Sequence, residues 1–329
     1  MTQGRRLAAV GLVAALVLPL GLFVGSVGLT PGEVLAVLTG GGTETQQDLV
    51  LQFRLPRLLL ASILGGGLAL AGATFQALLR NPLAEPYILG VSGGAAVGAV
   101  AALALGWATL ASWSLPLAAF AGALLAIVLV FRVATAAGRA LDVRVLLLAG
   151  VVVGAFFSAV ISFILAVSDA RTIRSAVLWM MGTTAGADWG SVLVAAAYTL
   201  PAALVLLALA RPLNALSVGE ETALYLGTEV ERVKRIAFAA ASLVTAAGVA
   251  VAGVIGFVGL VVPHGLRFVV GSDHRVLLPL SFLVGAAFLT AADTVARVLL
   301  SPTEIPIGVV TAFVGVPIFL ILLRRSTLG

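Results

Sequence analysis

The sequence predicts an all-α, polytopic membrane protein with about ten transmembrane helices. Of its 329 residues, 61% are apolar and only 10% are charged, whereas a soluble domain carries about 25% charged residues. The mean hydropathy of +1.19 shows the same bias. Apolar runs recur along the whole chain at about the 20-residue length that a spanning helix requires.

The apolar runs give the number of spans. Arg5 and Arg6 precede the first run, which is too long for the core of a signal peptide and lacks a small-residue cleavage site, so we expect an uncleaved span. The run at 254–270 is the shortest and the most interrupted by Gly and Pro. The ten runs lie at residues 7–29, 57–79, 88–106, 114–135, 143–167, 191–210, 233–251, 254–270, 276–299 and 305–323.

The basic residues orient these spans. With the N-terminus in the cytoplasm, fourteen of the 19 Lys and Arg residues fall on the cytoplasmic side and five on the outer side. This asymmetry follows the positive-inside rule. It predicts a multi-pass protein of the cytoplasmic (inner) membrane with both termini in the cytoplasm. Membrane lipid is therefore an expected partner, and in this setting a net charge of +5 gives no reason to expect nucleic acid.

One polar stretch, residues 211–235, interrupts the apolar sequence on the cytoplasmic side. Ser217 with Glu220, and Thr228 with Glu231, have the S/T-x-x-E spacing of capping boxes. Gly227 stands where a left-handed helix C-cap is expected. The pattern predicts helix, glycine corner, helix: a rigid elbow. The elbow is either a solvated connection between spans or a docking surface for a soluble partner.

The spans contain few ionisable residues. Asp293 and Arg297 have the i, i+4 spacing of a neutralised pair. His264 is expected to be a hydrogen-bonded structural group, with a proton relay as the minority alternative, and Gln76 to bridge helices. Small residues such as Gly72 recur at helical spacing, which predicts close helix packing or, less often, the lining of a wide path. No Walker A motif, metalloprotease motif or nucleophile elbow is present, and no cysteine.

Several motifs occur together in a characteristic order. They are RLPR at 54–57, QALLRNPLAEP at 76–86, LGVSGGA at 89–95, WMMG at 179–182, LSVGE at 216–220, GVIGFVGLVVPH at 253–264, GSDHR at 271–275, EIPIG at 304–308 and GVP at 315–317. In this order and spacing the chain, from about residue 50 onward, resembles the FecCD-type permease subunits of ABC importers for iron–siderophore complexes, haem and cobalamin. Val254 departs from the family, which often has Pro there.

The resemblance implies a type II ABC importer permease fold and one transmembrane permease domain over residues 1–329, with cytoplasmic coupling helices at about 211–231. It further implies a homodimer, two copies of a cytoplasmic ABC ATPase and an extracytoplasmic substrate-binding protein. This chain would then be no enzyme and would bind no cofactor or metal, because the ATP is used by the partner subunit. An iron–siderophore complex is the first choice of substrate, ahead of haem and cobalamin. The alternative function is a self-contained secondary transporter or channel for a small solute.

The resemblance also assigns residues to roles. Docking of the binding protein is expected at Arg54, Arg57 and Arg297, because arginine forms bidentate bonds to carboxylates. The alternative is a structural role, in which Arg297 pairs with Asp293 and Arg54 or Arg57 anchors at lipid headgroups. The residues expected to couple to the ATPase are Leu213, Leu216, Ser217, Gly219, Glu220, Ala223, Leu226 and Gly227. The remaining motif residues, with structural roles, are Gln76, Asn81, Pro82, Gly90, Gly256, Pro263, His264, Asp293, Glu304 and Pro306.

Overall fold

Each of the ten apolar runs folds as a helix in the computed structural model, which describes residues 3–25, 27–136 and 142–327. Among these residues there is no β-strand. The ten helices are α1 (Gln3–Phe23), α4 (Leu55–Leu78), α5 (Val91–Ala104), α6 (Ser114–Thr135), α7 (Val143–Ala166), α9 (Trp189–Ala208), α12 (Val230–Ala252), α13 (Val258–Val270), α14 (His274–Val298) and α15 (Ile307–Thr327).

Five shorter α-helices lie between the spans in the described part of the chain. They are α2 (Pro31–Leu38), α3 (Glu44–Gln47), α8 (Ala170–Met180), α10 (Ala210–Val218) and α11 (Glu220–Tyr225). A π-helical segment, Asp48–Arg54, joins α3 to α4 without a break. The helix α8 is capped by the Asp169 carboxylate, which accepts from the N–H of Thr172. Gly182, beyond the end of α8, has a φ of 73°.

The ten spanning helices differ in length. Six are long and apolar enough to cross a membrane by themselves, whereas the apolar parts of α1, α5, α13 and α15 are shorter. The helix α13 is short because a non-helical stretch from Gly253 to Phe257 takes the place of its first turns. Both end residues of this stretch have positive φ values, 72° and 69°. Pro263 lies inside the helix that follows.

Helix α4 forms the centre of the molecule. Nineteen of its 24 residues are buried, because α9, α12, α13 and α14 surround it. Glycines set these close contacts. A Cβ atom on Gly72 would lie 1.9 Å from the carbonyl oxygen of Gly259 in α13, and one on Gly65 would lie 2.3 Å from that of Gly285 in α14. The small residues therefore serve helix packing, as the sequence pattern predicted.

The elbow has the predicted helix–corner–helix form, but both predicted capping boxes are wrong. Ser217 lies inside α10, where its hydroxyl donates to the carbonyl of Leu213 at 2.7 Å. The helix α10 then ends at Gly219, which has a φ of 159°. The residue before α12 is Glu229, without a side-chain cap.

The glycine corner itself is confirmed. Gly227 has a φ of 77°, which is a left-handed conformation that glycine adopts without strain. Its N–H donates to the carbonyl of Leu224 at 2.9 Å, and the N–H of Thr228 donates to the carbonyl of Ala223 at 2.9 Å. These two bonds make a Schellman motif, which fixes the direction in which the chain leaves α11.

Candidate functional site

The elbow is fixed to α12 by a buried lysine. Lys234 is only 3% exposed, and its Nζ lies 3.1 Å from Oε2 of Glu220 and 2.9 Å from Oε1 of Glu231. The lysine therefore joins the first residue of α11 to the first turn of α12. Glu220 also lies 4.0 Å from the guanidinium of Arg80, just beyond the C-terminal end of α4. This set of contacts is called the elbow lock below.

A second set of contacts fixes α10 to the start of α14. Asn214 donates from Nδ2 to Oδ1 of Asp273 at 2.7 Å, and its Oδ1 accepts from the backbone N–H of His274 at 2.8 Å. Asp273 also accepts from Arg275 at 2.7 Å. Hydrogen bonds from Arg275 and then from Asn214 hold the pKa of Asp273 well below its usual range. The elbow is thus held at both ends.

The outer surface of the elbow is apolar. The large side chains that turn away from the bundle are Val218, Leu224, Tyr225 and Leu226, and Tyr225 is 91% exposed. We call these four residues the elbow patch. They lie on a segment too polar to enter hydrocarbon, so they face water in the single chain. Exposed apolar residues grouped in this way mark an interaction surface.

The predicted coupling residues divide between the two faces of the elbow. Leu213, Leu216 and Ala223 are buried and pack the elbow against the bundle. Glu220 belongs to the elbow lock, and Gly219 and Gly227 form its two corners. Ser217, Leu226 and Gly227 are exposed.

At the opposite end of the molecule, Arg57 lies between two carboxylates. Its Nε is 3.0 Å from Oδ1 of Asp293, and its two terminal nitrogens donate to Glu304 at 2.9 Å each. Asp293 is 1% exposed and also accepts from the hydroxyl of Thr184. The residues come from α4, α14 and the segments before α9 and α15. We call Arg57, Asp293, Glu304, Arg297 and Arg54 the outer charge cluster.

The other two arginines of this cluster also have internal partners. Arg297 lies 3.2 Å from Oδ2 of Asp293, which confirms the predicted i, i+4 pair, and donates to the carbonyl of Gly21 at 3.1 Å. Arg54 donates to the carbonyls of Leu22, at 2.8 Å, and Val27. All three arginines predicted to dock a binding protein are buried in the single chain, and their docking role stays a prediction.

Gln76 bridges helices as predicted. Its Nε2 donates at 3.3 Å to the carbonyls of Ala84, Gly259 and Leu260, and its Oε1 accepts from Arg267. His264 lies one turn after Leu260 in α13 and does not form such a bridge. Its ring nitrogens are buried and have no hydrogen-bond partner among the described residues, so the expected hydrogen bond is not formed within the described part of the single chain. The ring instead packs edge-on against Phe268, with 5.3 Å between centroids.

The remaining motif residues shape the segment between α4 and α5. Asn81 closes a turn by accepting from the N–H of Leu83 at 2.9 Å, and Pro82 within that turn is exposed. Gly90 has a φ of 73°, and a Cβ there would lie 3.4 Å from the carbonyl of Gly150 in α7. These residues turn the chain back toward the interior at the start of α5.

Two residues without an assigned role close the break before α13. The Glu85 carboxylate accepts from the N–H of Phe257 at 2.7 Å, and the Tyr87 hydroxyl donates to the carbonyl of Ile255 at 3.1 Å. They satisfy backbone groups that the missing helical turns would have paired. Glu85 lies in the QALLRNPLAEP stretch and Tyr87 directly follows it. Their position at this motif was the one sequence feature that could have pointed to a role for them.

An apolar cleft of about 600 Å³ opens beside this break. Its wall includes Gly256 and Phe257 of the break, the end of α8, and Phe313 of α15. Pro306, which precedes α15, lies at the segment that is tied to α8: the N–H of Ile307 donates to the carbonyl of Gly182 at 3.1 Å. No group of three His, Asp or Glu side chains that could hold a metal occurs in the part of the chain that the structure describes.

Comparison with known proteins identifies the family of the chain. Residues 12–325 match the FecCD transport family. The chain belongs to this family. It is 51% identical over 289 residues to the cobalamin import system permease protein of Halobacterium salinarum, covering 88% of this chain and 77% of the relative. It is 41% identical over 322 residues to the vitamin B12 import system permease protein BtuC of Escherichia coli, covering 98% and 95%.

A solved structure shows the same fold. The chain superposes on a metal-chelate type ABC transporter in an inward-facing conformation with a TM-score of 0.88 and 32% identity, covering 98% of this chain and 99% of that one. This chain is therefore a multi-pass permease of the inner membrane with the type II ABC importer fold. Its family is one of transport permeases and not of enzymes.

Proposed function

We propose that this chain is the permease subunit of an ATP-driven importer of cobalamin. Two copies of the chain would form the path, two cytoplasmic ATPases would bind their elbows, and a substrate-binding protein would dock on the outer face. The relatives from Halobacterium salinarum and Escherichia coli are named for cobalamin or vitamin B12 import. They move cobalamin ahead of the iron–siderophore complex that the sequence motifs favoured. Cobalamin is itself a metal chelate, in agreement with the type of transporter in the solved structure.

The observation that carries the proposal is the elbow patch. Its four large apolar side chains are exposed on a segment that two sets of polar contacts hold rigid. Burying one such side chain against a partner stabilises a complex by about 1.5–3 kcal/mol. A surface of this kind on the cytoplasmic end of a transport permease fits an ATPase that supplies the energy for transport.

Alternating access gives the elbow its task. The ATPase can shift the balance between outward-open and inward-open states only through a difference in affinity for the two states, about 5.5 kcal/mol for a full reversal. A flexible loop would absorb the motion of the partner. The elbow lock and the Asn214 contacts instead connect the elbow to α4, α12 and α14, so displacement of the elbow reaches the spans.

The apolar cleft supports the proposed homodimer. It is open on the side of α15, where Phe313 is 77% exposed. A second copy would cover this surface and complete a path lined from both subunits. Native mass spectrometry of the purified permease should then give twice the chain mass of 33.3 kDa.

The test is uptake by proteoliposomes that contain the permease with its ATPase. We expect cobalamin to accumulate only with internal ATP and the binding protein. Changing Tyr225 and Leu226 together to Ser should abolish ATP-driven uptake while the protein still folds, because both side chains lie on the surface. Leu35→Ser, an exposed position of α2 at the other end of the molecule, is the matched control and should transport normally.

Two outcomes would contradict the proposal. Accumulation without ATP or ATPase would favour the secondary transporter or channel. Normal uptake by the Tyr225/Leu226 variant would show that the elbow patch is not where the ATPase binds. An iron–siderophore complex offered in place of cobalamin decides the substrate, since only the true substrate should be accumulated.

A further inference from the structure

The outer charge cluster contains two carboxylates that are held very differently. Asp293 is bound by Arg57, Arg297 and Thr184 and is almost fully buried. The Glu304 side chain is 34% exposed, and among the described residues it hydrogen-bonds only Arg57. Of the two, Glu304 is the carboxylate that can turn out to water, because its side chain already reaches the surface.

The cluster is also unbalanced in charge. Three guanidinium groups face two carboxylates, and the five ionised groups sum to one positive charge. The three arginines and Glu304 border a cavity of about 230 Å³ that opens to the surface. Removing Glu304 from Arg57 would leave two positive charges in excess and an unfilled bidentate position on a guanidinium, which is the geometry that a new carboxylate would occupy.

We propose that Glu304 is an internal substitute for a carboxylate of the docking partner. In the free permease Glu304 occupies the outer edge of Arg57. On docking, an Asp or Glu side chain of the binding protein takes its place, and Glu304 swings out to water. The inference rests on the proposed docking at the outer cluster. It explains how arginines that are buried in the single chain can receive a partner: the partner's carboxylate replaces an ion pair that already exists.

The exchange has a consequence for the cleft. Glu304 lies on the segment that leads into α15, and the next residues bind α8 through Ile307 and Gly308, whose N–H groups donate at 3.1 Å to the carbonyls of Gly182 and Met181. Gly308 and Met181 also line the apolar cleft. Release of Glu304 frees the segment before α15 at its outer attachment to α4. Docking of the binding protein would thereby change the freedom of residues that line the proposed path.

The test compares the affinity of one binding protein for matched permease variants. The permease is assembled with its ATPase in nanodiscs, and the probe is the cobalamin-binding protein of the same organism. Glu304→Gln removes the competing charge but keeps the side-chain volume, so it should bind about fivefold tighter than the unchanged permease. Glu44→Gln removes one exposed negative charge from α3 at the same end, and its affinity should stay at the unchanged value.

Other variants separate this inference from the proposed docking. Arg57→Gln should weaken binding strongly, because it removes the group for which both carboxylates compete. If Glu304→Gln does not assemble, Glu304→Asp supplies the test: its shorter side chain weakens the internal pair and should give an intermediate gain. Absence of binding by the unchanged permease would overturn the docking itself. Binding that Arg57→Gln weakens but Glu304→Gln leaves equal or weaker would overturn only the exchange.

Discussion

Replacing Lys234 by Met should loosen the elbow without unfolding the permease. Methionine keeps most of the length of the side chain, which is buried up to its charged end, and removes the ammonium group. Glu220 and Glu231 then lose their shared partner and repel each other. Both carboxylates are more than a third exposed, so they can turn toward water, and the helix α11 is released from α12.

The size of the effect follows from the contacts. The lysine makes two charge-assisted hydrogen bonds, of 3.1 and 2.9 Å, each worth about 1.5–3 kcal/mol. Solvent screening at the two glutamates lowers this value, and the desolvation of the buried ammonium opposes it. A net loss of about 2 kcal/mol remains, which raises the local opening equilibrium of α11 roughly 30-fold.

Two assays measure the result. Hydrogen exchange of the amides of α11 should become faster by about that factor, and ATP-driven uptake per ATP hydrolysed should fall. Arg232→Gln is the matched control: it removes a cation from the same helix, but the ion pair of Arg232 with Glu229 is about 70% exposed on both sides, 72% and 69%, and is worth less than about 1 kcal/mol. Equal effects of the two changes, or unchanged exchange in Lys234→Met, would refute the proposed role of the elbow lock.

Two further predictions concern the fold. Gly72→Ala should cost about 3 kcal/mol of stability, because the added Cβ would meet the backbone of Gly259, and should therefore lower the thermal midpoint in detergent. Gly265→Ala is the control: its Cβ would have no neighbouring atom within 4 Å, so equal midpoints for the two variants would contradict the packing described. The pKa of Asp273 is lowered in the folded protein from its ordinary value of 3.8. The ionised carboxylate therefore stabilises the folded protein above pH 3.8, and this contribution is lost as the pH falls through the lowered pKa. The difference in midpoint between the unchanged protein and Asp273→Asn should therefore be constant from about pH 8 to pH 5 and shrink below about pH 4; a change between pH 8 and 6 would argue against this assignment.

The spans could be predicted because their signal is local. Each apolar run reports its own length and hydropathy, and each corresponds to one helix in the structure. The shortest run, 254–270, contains the break at residues 253–257 that shortens α13. The Gly and Pro residues that mark it were visible in the sequence, whereas the groups that satisfy the broken backbone, Glu85 and Tyr87, lie about 170 residues away.

The capping boxes show the limit of local patterns. An S-x-x-E spacing predicts a cap only if the chain leaves the helix at the serine. Here α10 continues through Ser217, whose hydroxyl bonds to the preceding turn, and the break comes at Gly219. Glu220 is then free to pair with Lys234. Tertiary contacts decided between two arrangements that the sequence allows equally.

The charged residues divide in the same way. The pair of Asp293 and Arg297 could be predicted from its i, i+4 spacing, but the contact of Asp293 with Arg57 spans 236 residues. The burial of all three arginines could therefore not be predicted from spacing. Lys234 did carry a signal that the sequence analysis missed. It shares a helix face with Val230, Ala237 and Ala241, all buried, and a charge on such a face requires partners.

The backbone contacts around α4 also determine which parts of the permease can move. Where a glycine of α4 touches a carbonyl of α13 or α14, sliding by even one residue would drive side chains into the main chain. We therefore expect these three helices to move as one rigid block. In the proposed alternating-access cycle, we expect the rearrangement where this block meets other helices, such as α15. Because the chain has no native cysteine, cysteines introduced on α14 and α15 would carry two spin labels, and the distance between the labels would measure the displacement of one helix relative to the other.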